Sequence, residues 1–99
     1  MAEASSPVTV SDRPDRNRYE ALVGDELAGF VTYSAKPGRL VLIHTEVDPD
    51  FEGHGVGSLL AAGVLDDIRA RGLQVVPLCP FIADYIGRHP EYGDLVATR

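Results

Sequence analysis

The sequence predicts a mixed α/β domain, a sheet that starts as an antiparallel meander and gains a parallel strand, with two main helices. Three observations lead there. The first half alternates apolar and polar residues between turn tripeptides. A dense apolar stretch at 39–47 runs into a glycine-rich segment and an amphipathic helix. A short apolar strand follows that helix, and strand, helix, strand in this order implies a right-handed parallel crossover.

The elements follow in order. Residues 1–16 are rich in Ser, Pro, Asp and Arg and are expected to form a mobile tail, with at most a short edge strand at Val8–Val10. The domain is then expected to span 17–99. Arg18–Val23 and Leu27–Ser34 read as strands of a hairpin turned at Gly24-Asp25-Glu26. Lys36-Pro37-Gly38 is a second turn. Arg39–Val47 reads as a central strand, with Leu40, Leu42, His44 and Glu46 on one face and Val41, Ile43, Thr45 and Val47 on the other.

A helix is expected from the glycine segment to about Arg71, with Val56, Leu59, Leu60, Val64, Leu65 and Ile68 as its apolar stripe. Arg69 and Arg71 lie where the helix dipole favours cations. Leu73–Leu78 is a short buried strand. Phe81–Arg88 is a second helix, stopped near Pro90.

Composition removes several classes of function. The chain has 99 residues, the length of one domain, and 44% of them are hydrophobic. Nine Lys and Arg face 15 Asp and Glu, a net charge of −6, with no basic cluster to follow a phosphate backbone. Nucleic acid and anionic membrane surfaces are therefore poor partners. The single cysteine, Cys79, excludes an internal disulfide. No signal-peptide pattern opens the chain and no apolar run is long enough to span a bilayer, which makes the cytoplasm the expected location. No His, Asp and Glu cluster has metal-ligand spacing, so no metal is expected.

The most informative segment is Gly53-His54-Gly55-Val56-Gly57-Ser58, between a strand and a helix. Free N–H groups of a first helical turn, with the helix dipole behind them, attract an anion such as phosphate. A tight turn without a ligand is the competing reading. Two phosphate motifs fail: the dinucleotide fingerprint would need a glycine where Ser58 stands, and the P-loop needs a lysine before its Ser or Thr.

From Val47 to Leu60 the sequence resembles the acetyl-CoA motif of the GNAT acetyltransferase superfamily, Gln/Arg-x-x-Gly-x-Gly/Ala after a strand ending in Val-x-Pro. Gly55 and Gly57 match its glycines, whereas Glu52 stands where Gln or Arg is usual. From Tyr19 to Val96 the chain is similar to a subgroup of minimal GNAT-like acetyltransferases. Its markers read His44-Thr45-Glu46-Val47, Cys79-Pro80-Phe81 and His89-Pro90-Glu91-Tyr92 here.

The resemblance implies the minimal GNAT fold, with two parallel strands opening into a V. It implies acetyl-CoA as co-substrate, with its pyrophosphate on the loop of Glu52, Gly53, His54, Gly55, Val56, Gly57 and Ser58. The pantetheine arm would run along the backbone at Thr45 and Val47. Cys79 would protonate the CoA thiolate or act as a nucleophile; the alternative is a packed core thiol.

His44 and Glu46, two apart on one strand face, could relay a proton from the incoming amine. Tyr85 lies where larger relatives carry a proton-donating tyrosine, one residue off their spacing. The expected function is N-acetyl transfer from acetyl-CoA to an exposed amine, on a protein or a small molecule. A CoA-binding module without catalysis is the alternative.

Overall fold

In the computed structural model, residues 8–53 and 55–97 are described. Five strands form one sheet in the order β1-β2-β3-β4-β5. They are β1 (Val8–Arg13), β2 (Arg18–Val23), β3 (Glu26–Lys36), β4 (Arg39–Val47) and β5 (Gln74–Pro77), with helices α1 (Val56–Ala70) and α2 (Pro80–Arg88). The first four strands pair antiparallel with their neighbours, and β5 lies parallel to β4. Short 3-10 turns occupy Pro14–Arg16, Pro49–Phe51 and Pro90–Leu95.

The expected boundary of the domain is corrected here. Residues Val8–Arg13 are not tail but a full edge strand, in register with β2 from Val8↔Val23 to Arg13↔Arg18. Two polar ties secure it. Tyr33 Oη donates to Asp12 at 2.6 Å, and the Arg71 guanidinium at the end of α1 also donates to Asp12. Asp12 reads as solvent-facing in a Ser- and Arg-rich stretch, so its two partners, distant in sequence, are invisible there. Residues 1–7 lie outside the described residues.

One layer of helix covers one face of the sheet. Leu60, Ala61, Val64, Leu65 and Ile68 of α1 are fully buried against Tyr19, Ala21, Val31 and Leu42. Complete burial of each large aliphatic side chain contributes about 1.5–3 kcal/mol. Ile82, Tyr85 and Ile86 of α2 complete this core. Tyr19 Oη donates to Asp67 at 2.6 Å and ties β2 to α1.

The expected faces of β4 are wrong beyond Leu42. Tyr33 opposes Leu42 but Thr32 opposes His44, so Ile43 is an extra residue, a β-bulge. The pleat slips by one there. Thr45 and Val47 join Leu40 and Leu42 on the helix side, opposite Val31 and Gly29, while His44 and Glu46 turn to the bare face. An apolar run without Gly or Pro carries no sign of a bulge, and an uninterrupted alternation is the natural reading.

The bulge sits where the parallel ladder ends. β4 and β5 pair from Arg39↔Gln74 to Leu42↔Pro77 and no further. Leu78 and Cys79 then both donate their N–H groups to the Leu42 carbonyl at 3.0 Å, and α2 begins at Pro80. Pro80 in the first turn suits a helix start. Among the described residues the second half of β4 thus keeps β3 on one side and has no strand on the other.

Candidate active site

The open side of β4 follows from its hydrogen bonding. Asp48 N–H donates to the Ala28 carbonyl at 2.8 Å, which marks Ala28 and Asp48 as a bonded pair of the antiparallel ladder. Bonded and non-bonded pairs alternate, so Glu46 points its N–H and C=O at β3 and those of Thr45 and Val47 point into the gap left by β5. Two amides and two carbonyls on an extended segment can receive a linear amide-bearing chain.

The glycine segment closes the gap at one end. Gly55 is the N-cap of α1 at φ 74° and ψ 14°, a left-handed conformation that a residue with a Cβ reaches only under strain. The first intrahelical bond seen from it runs from Leu59 N–H to the Gly55 carbonyl, 3.0 Å. Among the described residues the N–H groups of Val56, Gly57 and Ser58 therefore have no helical acceptor, and no side chain caps them. They border an open groove lined by Val47, Phe51, Glu52, Gly53, Gly55 and Phe81 as well. His54 lies outside the described residues.

Two of these residues were not anticipated as site residues. Phe51, in the 3-10 turn after β4, and Phe81, in the first turn of α2, form apolar walls of the groove. The Phe81 ring lies over Gly57, where an added Cβ would stand 2.9 Å from its Cζ. The available signal was periodicity: Ile82, Tyr85 and Ile86 form the buried stripe of α2, which leaves Phe81 as a large aromatic out of phase and 37% exposed.

The expected catalytic side chains fall into three places. Cys79 is the N-cap of α2, 3% exposed, with Sγ 3.0 Å from Thr45 Oγ1. His44 and Glu46 remain together, Nε2 to Oε1 3.6 Å, both exposed on the bare face of the sheet. Phe30 tilts against His44 at 6.4 Å and carries the Arg18 guanidinium on its ring, 4.6 Å from the centroid. The free edge of β4 thus separates a thiol on one side from an imidazole and a carboxylate on the other.

Tyr85 is not brought to this edge. Its ring stacks on His89 at 3.9 Å and lies 6.1 Å from Tyr92, in the C-terminal half of α2. Burial, then the charges of Glu91 and Asp66, push its hydroxyl above the ordinary tyrosine value. Tyr92 beside it donates to Asp66 at 2.8 Å and is pushed up to about 12 by burial and that bond. The His89-Pro90-Glu91-Tyr92 segment therefore packs the end of α2 against α1.

Among the described residues no group of three or more His, Cys, Asp or Glu side chains could hold a metal ion. No described helix is long and apolar enough to cross a membrane.

The arrangement has counterparts among known proteins. The family model of GCN5-related N-acetyl-transferases matches residues 18–95. The chain belongs to that family. Among solved structures it is similar to a GCN5-like candidate N-acetyltransferase of Staphylococcus aureus, determined by NMR in solution. The two share 20% identity and a TM-score of 0.67, over 96% of this chain and 91% of the other. At that identity the likeness is one of fold. No curated protein matches the chain.

Proposed function

We propose that this chain is an N-acetyltransferase that binds acetyl-CoA in the groove between α1 and the free edge of β4 and acetylates an exposed amine. The observation that carries the reading is the meeting of two sets of backbone groups that have no partner among the described residues: the N–H groups at the start of α1 and the outward amides of Thr45 and Val47. The first set suits a pyrophosphate and the second suits a pantetheine arm. The family membership supports the same chemistry.

In this reading the thioester carbonyl lies against an N–H of the free β4 segment, which would stabilise the developing oxyanion. His44 and Glu46 take a proton from the amine, directly or through water. Cys79 protonates the departing thiolate. Both helices cover one face of the sheet, so the bare face gives the acceptor a shallow approach. That suits a lysine or an N-terminus of a partner protein, or a small amine. The reading keeps the cytoplasmic setting expected from the sequence.

A second reading is a CoA-binding module without catalysis. It is favoured by the deep burial of Cys79 and by the carboxylate of Glu52 at the groove. The test is calorimetric titration with CoA and acetyl-CoA, followed by release of free CoA thiol in the presence of a panel of amines. Binding with turnover is the expected result. Binding without turnover selects the module, and no binding at millimolar ligand refutes both.

A further inference from the structure

We propose that Thr45 is a positioning residue for Cys79, acting through its side-chain hydroxyl on the sulfur; the inference rests on the acyl-transfer reading above. The juxtaposition is created by the bulge. With an unbroken pleat Thr45 would face away from Leu42; the extra residue Ile43 turns it over to the helix side, 3.0 Å from Cys79 Sγ. Cys79 is fixed from both directions: its N–H donates to the Leu42 carbonyl and its own carbonyl accepts from Ala83, each at 3.0 Å. Among the described residues Thr45 Oγ1 is the one polar side-chain atom bonded to the sulfur.

Strand packing does not require that oxygen. Valine has the same branched shape and favours strands as strongly. The hydroxyl adds a group that can donate or accept, 3.0 Å from a buried thiol, and it can only donate once that thiol is an anion.

Its use appears when the reaction is balanced. The amine nitrogen adds to the thioester carbonyl carbon, and the C–S bond breaks. The CoA sulfur leaves with the bonding pair and takes the proton of Cys79. Cys79 is then an anion in a buried position, which is costly without a hydrogen-bond donor. Thr45 O–H supplies that donor. The proton released by the amine nitrogen passes to His44 and Glu46 and through water back to Cys79. The sum is acetyl-CoA plus amine giving amide plus CoA thiol. A donor that serves an anion formed during reaction raises kcat and leaves KM for acetyl-CoA alone.

The experiment compares Thr45→Val and Thr45→Ser with the parent in two readouts. The first is steady-state acetyl transfer. The second is the rate of alkylation by iodoacetamide at one pH, which reports on Cys79 alone because the chain has a single cysteine. Thr45→Val should lower kcat about tenfold, the scale of one hydrogen bond to a charged group, with KM unchanged. Alkylation should slow in parallel, and Thr45→Ser should recover both. Thr45→Ala carries the same comparison if the valine variant fails to melt cooperatively.

A folded variant lacking the hydroxyl that turns over and alkylates like the parent overturns the inference and leaves the transferase reading intact. Failure of Thr45→Ser to recover either rate also overturns it. A parent without turnover, whose alkylation still depends on the Thr45 hydroxyl, sinks the transferase reading and keeps the contact.

Discussion

Gly57→Ala separates the fold from the proposed CoA site, because its effects on the two differ. Gly57 is the second residue of α1, and Ala is preferred to Gly by up to about 1 kcal/mol in a helix interior, less in the first turn. Against this, the new Cβ would lie 2.9 Å from Phe81 Cζ, well inside contact distance. The clash is with the far end of a side chain that is 37% exposed, so the ring can swing outward. Losing that packing costs about 1 kcal/mol. The two contributions nearly cancel, and the melting temperature should stay within a few degrees of the parent.

Ligand binding has no such compensation. The methyl group enters the space beside the N–H groups of Gly57 and Ser58, and the ring that swings outward no longer walls the groove. CoA affinity should fall by at least about tenfold, or 1.4 kcal/mol. Differential scanning measures both effects in one series, since a ligand of the native state raises the melting temperature by an amount set by its Kd. A folded Gly57→Ala variant with the parental CoA-induced shift would show that the anion site lies elsewhere.

Two further predictions concern the sheet. Glu20 is 4% exposed; burial pushes its carboxyl up, but hydrogen bonds from Arg18 at 2.8 Å and Arg16 at 3.1 Å outweigh that and hold it below its ordinary value. The stability this provides is present above the unfolded-state carboxylate pKa and is lost as pH falls through the lower folded value. Glu20→Gln should therefore destabilise at neutral pH by about 1–3 kcal/mol and flatten the acid limb of the melting profile; an unchanged acid limb would refute the assignment. Gly63→Ala would place a Cβ 2.7 Å from Val10 Cγ2, where α1 rests on β1. Overpacking there should cost about 1–3 kcal/mol in urea unfolding, and a neutral result would contradict the docking of β1 under α1.

Much of this architecture was legible because period and punctuation agree. The bounds of β2 and β4 coincide with their alternating or apolar runs, and α1 begins within the glycine segment. β1 was only partly legible, since its stability comes from Tyr33 and Arg71, far along the chain. The place of the glycine loop between a strand and a helix could be read because its glycines announce a break between the two periodic runs. The far end of β4 was less legible because one unmarked bulge at Ile43 exchanges the faces of Thr45 and His44. The pairing of His44 with Glu46 survives that exchange, since residues two apart move together. The contact of Thr45 with Cys79 arises from it.

The four-rung parallel ladder of β4 with β5 also divides the sheet by connection length. The antiparallel strands join neighbours in sequence and close through short turns, whereas β5 reaches β4 only through the long crossover that carries α1. The groove lies at the join between the antiparallel meander and this crossover unit. A molecule held by both the α1 start and the β4 edge would act as a clasp across this join and oppose its reopening.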